Sequence, residues 1–440
     1  MATRRQFMKS LASAAAAAGM AGAPQFSFAQ DQNGKVKTFI KVFMRGGADG
    51  LHLFPLYGDT MNAYYTYRPD LAILPPSGND GNRAINLGAI AQGMRGMNPN
   101  FAPLLPIWES GNMMIAPSTS FAGANRSHFD CQRWIGTGDQ DNLIDGYLNR
   151  YMQEVAGPVS PLRGIVAGKT SISTEIRGRI RVPAIVRSGS YEVRNNDFCN
   201  SGCADNQLTD LMREIASHDV DLSAAEGLVK ENQLILLDSI QDVTDAASRY
   251  AMQDDPGYTN SDLGRGLRLC AELIKGGVPL EVAALDWSIG WDTHSNQIDI
   301  DNTANPFSDQ GKNYNLRVRQ GATDFLRFWQ DLGPLMEDVV VLVGSEFGRT
   351  KKQNGSVGTD HGEGGAWFAF GGPTNRKIAR DVETIDDSVV DKNRLPTMTS
   401  YRDIVGEIMV QHMGMDENLI KTIFPGHEFV DNELFLPQMA

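Results

Sequence analysis

Five short apolar runs constrain this chain more than any other feature. They are VKTFIKVFM (Val36–Met44), NMMIAP (Asn112–Pro117), VPLEVAALDW (Val278–Trp287), DVVVLVG (Asp338–Gly344) and AWFAFGG (Ala366–Gly372). Runs of this length suit buried strands. Between them lie segments in which apolar residues recur at three and four, such as LTDLMREIASH, ENQLILLDSIQDVTDAASRYAM, DLGRGLRLCAELIKGG and NLRVRQGATDFLRFWQDLGPLM. That spacing predicts amphipathic helices. Strands alternating with helices predict an α/β fold, with a mostly parallel central sheet flanked by helices on both faces.

In such sheets ligands collect beyond the carboxyl ends of the strands. Four strand exits carry acids or histidines: RGGADGLH with Asp49 and His52, STSFAGANRSHFDCQRW with Ser127 and His128, SIGWDTHSNQ with Asp292 and His294, and SEFGRT with Glu346, followed by GTDHGEGG with Asp360 and His361. Carboxylates that converge repel one another unless a cation or proton lies between them. Oxygen and imidazole donors suit a divalent metal, namely zinc, manganese, magnesium or calcium, rather than a metal selected by thiolates.

Ser127 reads as a helix N-cap with Asp130 three positions on. A hydroxyl there lies where backbone N–H groups favour an anion, and a metal can convert it into a nucleophile. The plain structural role of N-cap serves equally well. Arg45, Arg126 and Arg349 each stand beside one of these acids. They can clamp a sulfate or phosphate ester, or simply neutralise the acids.

The chain begins MATRRQFMKSLASAAAAAGMAGAPQFSFAQ, with a twin-arginine pattern at Thr3–Lys9, an Ala-rich apolar stretch and small residues around Phe28. It reads as a Tat export signal over residues 1–29, placing the mature chain in the periplasm or outside the cell. No later segment is long and apolar enough for an integral membrane span. The formal charge is −13, and loss of Arg4, Arg5 and Lys9 makes it −16. Such a balance argues against nucleic acid as a partner and leaves room for a locally positive pocket. Cys199 and Cys203 in CNSGC can close a disulfide in an oxidising compartment. No linker or repeat divides residues 30–440, so one domain is expected, with a polar helical insertion at about 195–255.

The leader, RGGADGLH, RSHFD-Q with Cys131 in the gap, GWDTH, and SEFGRT followed by DHG together resemble the bacterial family called domain of unknown function 1501, a Tat-exported, sulfatase-like set within the alkaline phosphatase superfamily. The resemblance implies an alkaline-phosphatase-like fold and a metal-dependent hydrolase of a small-molecule or glycan sulfate or phosphate ester. It implies metal ligands at Asp49, Asp292, His294, Glu346 and His361 and a catalytic role for Ser127; His128, beside Ser127, and Arg349, beside Glu346, are catalytic candidates by position, and no organic cofactor is implied. Two alignments fit the late pair: Asp360–His361 in TDHG, or Glu346 at the strand end with His361 as the last histidine; the second is preferred because Glu346 leaves the strand end directly, which puts Asp360 in a turn or supporting place. Phe347 stands where the superfamily carries a histidine, and His128 can supply the missing imidazole. The sulfatase pattern Cys/Ser-x-Pro-x-Arg is absent, which argues against a formylglycine nucleophile. The alternative is a noncatalytic periplasmic or cell-surface binding protein on the same fold.

Overall fold

The computed structural model describes residues 36–58, 62–76, 83–91, 94–141, 144–158, 160–192, 212–214, 224–251, 256–299, 307, 313–390 and 392–437. The proposed leader and the Cys199–Cys203 pair lie outside them.

The expected strands form. They are β1 (Thr38–Phe43), β2 (Met113–Ser120), β5 (Val282–Asp286), β6 (Val339–Gly344) and β7 (Gly365–Gly371), joined by three shorter ones, β3 (Gly164–Ala167), β4 (Ala184–Ile185) and β8 (Thr399–Ser400). Their order across one eight-stranded sheet is β8-β2-β7-β6-β1-β5-β3-β4. All neighbours run parallel except β7, which is antiparallel to both β2 and β6. The fold is therefore α/β with a mostly parallel central sheet, as expected.

Side chains alternate across the strands, and each face meets its own helices. Ile40, Val42, Ala283, Leu285, Val341 and Val343 face one layer, packed with Leu267 and Cys270 of α4 (Asp262–Lys275) and with Val318, Ala322 and Phe325 of α5 (Asn313–Leu332). Phe39, Phe43, Val282, Ala284, Val340 and Leu342 face the other, packed with Tyr147, Leu148 and Tyr151 of α2 (Tyr147–Glu154) and with Tyr401, Ile404 and Val405 of α6 (Tyr401–Glu407). Of the helical segment expected at about 195–255, the described part includes α3 (Ala224–Tyr250), which buries Val243, Ala246 and Tyr250 in the α4/α5 layer.

One residue breaks the apolar pattern of β1. Lys41 is fully buried, 4.3 Å over the Trp367 ring, with its ammonium donating to the carbonyl of Val42 at 2.7 Å. Burial pushes it down to about 7.

A candidate metal centre at the strand ends

The exits of β1, β5 and β6 meet the start of α1 (His128–Thr137) at one end of the sheet. Ser127 begins α1 as predicted for a cap, its hydroxyl accepting from the Asp130 N–H, and Gly138 ends it in the left-handed conformation. His128 is thereby fixed in the first turn. On the β6 side the chain leaves at Ser345, runs out to Gly355 and returns to β7. Three backbone hydrogen bonds pin its return to the β5 exit: Asn296 N–H to the Ser356 carbonyl and Gln297 N–H to the Val357 carbonyl, each at 2.9 Å, and Thr359 N–H to the Thr293 carbonyl at 3.0 Å. This pairing brings His294 against Asp360 and His361.

Three imidazoles converge on one carboxylate. His361 Nε2 lies 3.1 Å and His294 Nε2 3.0 Å from Asp292 Oδ1, and His128 Nε2 lies 3.5 Å from Asp292 Oδ2. Each ring is held from behind by an acceptor on its Nδ1: Glu346 for His128 at 2.8 Å, Asp360 for His294 at 3.1 Å, and the Arg126 carbonyl for His361 at 2.9 Å. A carboxylate or carbonyl can only accept, so each Nδ1 carries the proton and each Nε2 presents a lone pair. His294 Nε2 and His361 Nε2 face each other across 3.0 Å. Lone pairs opposed at that distance, and aimed at a carboxylate, require a cation or proton among them. His128 Nε2 is buried without a hydrogen-bond partner. Ligand atoms of His128, Asp292 and His361 all lie within 4.8 Å of one another. Imidazoles oriented by carboxylates and carbonyls, as here, are the usual surroundings of a protein-bound metal.

The sequence-predicted residues divide accordingly. Asp292, His294 and His361 come together, and His128 joins them through its ring. Glu346 does not present a free oxygen to the cluster. It is fully buried, and its oxygens accept from His128, from Gln132 Nε2 at 2.9 Å, from Gly46 N–H at 2.9 Å and from the Ser345 hydroxyl at 2.8 Å. Burial alone would raise its pKa, yet these donors hold it below the ordinary carboxylate range. It supports His128 rather than ligating. Asp49 is likewise committed elsewhere. Its oxygens take both Arg68 terminal nitrogens at 2.7 and 3.0 Å, and Gln297 Nε2 at 2.7 Å. That bidentate ion pair uses the lone pairs a metal would need.

Arg349 is also placed differently from the expected anion clamp. Its guanidinium is buried and donates to the carbonyls of Gly46, Gly47, Thr359 and Trp291 and to Asp292 Oδ1. Burial would raise the Asp292 carboxyl, but the Arg349 hydrogen bond prevails and holds it at about 2. Arg349 thus locks the β1 exit to the ligand loop. Arg45 pairs with Asp286 at 2.8 Å and so neutralises an acid instead of facing the cluster. Ser127, already used as a cap, shows no contact with the three imidazoles among the described residues.

Phe347 forms the floor, its ring 4.9 Å from that of His128 and 4.8 Å from that of His361. Gly47, at φ +69°, is required under it, since a Cβ there would lie 2.3 Å from the Phe347 ring. His128 is pushed up, chiefly by its hydrogen bond to Glu346, whereas burial pushes His361 down. Cys131, packed beside Phe347, is raised by burial to about 11, so it is no nucleophile at neutral pH.

Sequence reasoning missed Gln132 and Asn354. Gln132 links Arg45 to Glu346, and its signal was legible: it lies four residues after His128, on the same face of α1. Asn354 donates to the His294 carbonyl and to Asp360, which depends on a loop closure no local pattern announces.

An α/β sheet with three histidines gathered on an aspartate at its strand ends defines this protein as one with a candidate His/Asp metal centre. The chain belongs to the family described as Protein of unknown function (DUF1501), which it matches over residues 123–422. No curated protein matches it. Among solved structures it is similar to alkaline phosphatase from the Antarctic bacterium TAB5, at 11% identity and a TM-score of 0.27, over 78% of this chain and 94% of that one. A mutant of the same enzyme with Mg bound in its M3 site is similar at 11% identity and a TM-score of 0.28, over 76% and 91%. Neither likeness bears on the chemistry of the site.

Proposed function

We propose that this protein is an exported, metal-dependent hydrolase of a sulfate or phosphate ester. The observation that carries the reading is the convergence of three Nε2 lone pairs on Asp292, each ring locked by its Nδ1 partner. His128, Asp292 and His361 would hold the ion, and His294 would complete the shell from the solvent side. A divalent cation there supplies Lewis-acid stabilisation of the ester oxygens and acidifies water. The chain's own residues do the rest. Glu346 fixes the His128 tautomer, Asp360 fixes that of His294, and Arg349 keeps Asp292 ionised and in place. The ester would lie in the adjoining groove with water as nucleophile, while the Ser127 hydroxyl accepts the Asp130 N–H at the helix start. The RR-containing leader at residues 1–29 supports Tat export to the periplasm or beyond, and residues 30–440 are read as one alkaline-phosphatase-like domain with its helical insertion at about 195–255. No helix among the described residues is long and apolar enough to cross a membrane.

A second reading, a noncatalytic binding protein that retains the ion, is favoured by one observation: the candidate nucleophile Ser127 is occupied as an N-cap. One experiment separates the two. Purified protein is analysed for bound metal and assayed on aryl sulfates, phosphate monoesters and phosphate diesters, beside Asp292→Ala. Metal-dependent turnover lost in Asp292→Ala supports the hydrolase. Turnover that survives the substitution sinks the site, and metal without turnover on any ester supports the binding protein.

A further inference from the structure

The metal cluster opens into a groove of about 700 Å³ lined by Asn125, Arg126, His294, Thr350, Asp360, His361, Lys392, Asn393 and Arg394. That volume lies within the range of sites for whole small molecules, well beyond a single oxyanion. Three cations line it, from chain segments more than 260 residues apart, in a protein whose formal charge is −13. Among the described residues the lining carries one acid, Asp360, which is tied to His294 and Asn354, and Glu363 pairs with Arg394 at 3.6 Å. Local positive potential in an acidic protein concentrates anions at that point.

The backbone gives a second, independent sign. Arg126 and Lys392 both adopt φ +68°. Left-handed conformations are uncommon for residues other than glycine, asparagine and aspartate, and such strain gathers at ligand clamps. Both residues line this groove, and Asn296 and Val357, also at positive φ, flank the His294 loop. The Arg126 carbonyl holds the His361 ring, so one strained residue couples the cluster to the groove wall.

We infer that the groove selects polyanionic esters: small molecules or glycan units that carry, besides the ester group at the metal cluster, at least one further sulfate or phosphate held by Arg126, Lys392 and Arg394. The inference rests on the hydrolase reading for the first group and on the groove alone for the second. Guanidinium groups bind such oxyanions in bidentate fashion, and Asn125 and Asn393 offer uncharged donors beside them.

The test uses the metal-loaded protein and calorimetric titration of a monosulfated disaccharide, its trisulfated counterpart and the corresponding phosphorylated pair. Charge-assisted hydrogen bonds predict that the triply charged ligand binds about tenfold tighter or better than the singly charged one. In Lys392→Gln/Arg394→Gln the ratio should fall to within about threefold while bound metal stays constant, and Arg126→Asn, which tolerates the left-handed backbone, should lower it in the same direction. The sulfated and phosphorylated arms identify which oxyanion the wall prefers. Equal binding of singly and triply charged ligands, or a preference that survives both variants, overturns the inference. Hydrolysis of simple esters without the preference refutes the groove reading alone, whereas the preference without hydrolysis of any ester refutes the hydrolase reading alone.

Discussion

Replacing Glu346 by glutamine isolates the part played by the carboxylate behind His128. The glutamine amide has one acceptor oxygen where the carboxylate has two. With that oxygen in the place of Oε1, the bonds from His128, Gln132 and Gly46 all survive. The amide nitrogen then faces Ser345, whose one hydroxyl proton can turn from Glu346 to the Met44 carbonyl at 2.6 Å and so leave the oxygen to accept. The fold should therefore lose only about 1 to 2 kcal/mol, the worth of one or two weakened hydrogen bonds to a charged group. What vanishes is the negative charge that makes His128 a better ligand. Losses of such supporting partners typically lower metal affinity by about 10- to 100-fold, or roughly 1.4 to 2.7 kcal/mol. The assay is a competition titration of zinc against a chromophoric chelator, with thermal unfolding of the metal-free protein as the folding control. Glu346→Ala is the contrasting case, because it strands three buried donors at about 1 to 3 kcal/mol each and should not fold. An affinity within twofold of wild type in Glu346→Gln, alongside strong loss in His361→Ala, would falsify the support role and the tautomer argument built on it.

Four further outcomes are expected. Ser127→Ala should cost about 1 kcal/mol of stability through the lost cap while turnover stays within a few-fold; a hundredfold fall in kcat at full metal content would instead make Ser127 the nucleophile. Arg349→Met strands the carbonyls of Gly46 and Gly47 and frees Asp292, so denaturant titration should show about 3 to 5 kcal/mol less stability, with metal binding lost. His412 is fully buried against the Thr38 carbonyl at 3.1 Å, and burial pushes it down to about 4 from an ordinary 6.5. The unfolded chain then takes up its proton first as pH falls, so stability should drop by on the order of 3 kcal/mol between pH 6.5 and 4, and His412→Phe should flatten that slope. Lys41→Met keeps length while removing a buried ammonium, so it should add about 1 to 4 kcal/mol of stability at pH 7 and raise the melting temperature; a lower melting temperature would show the ammonium is needed.

Much of the sheet was legible because strands buried on both faces read as nearly continuous apolar runs. The direction of β7 was not, since AWFAFGG has the same composition whether it runs with its neighbours or against them. The short strands β3, β4 and β8 left too few residues for a pattern. At the site, position along the chain named the right loops but not which atoms turn inward. Asp49 and Asp292 follow comparable strand ends, yet Arg68 claims the first and Arg349 only one oxygen of the second. Glu346 leaves its strand as expected, but the Gly46 N–H and Gln132 capture both its reach and its charge. Lys392 and Arg394 carry no local signal at all; they acquire meaning only when the fold sets them opposite Arg126.

The rings of His128, His294 and His361 are each anchored to a different stretch of protein: Glu346, Asp360 and the Arg126 carbonyl. On the hydrolase reading, an ion would therefore meet rings whose orientation the protein's own carboxylates and carbonyl already fix. Removing the ion with a chelator should correspondingly leave amide hydrogen exchange in β1, β5 and β6 nearly unchanged, with faster exchange confined to the loops that bear the rings.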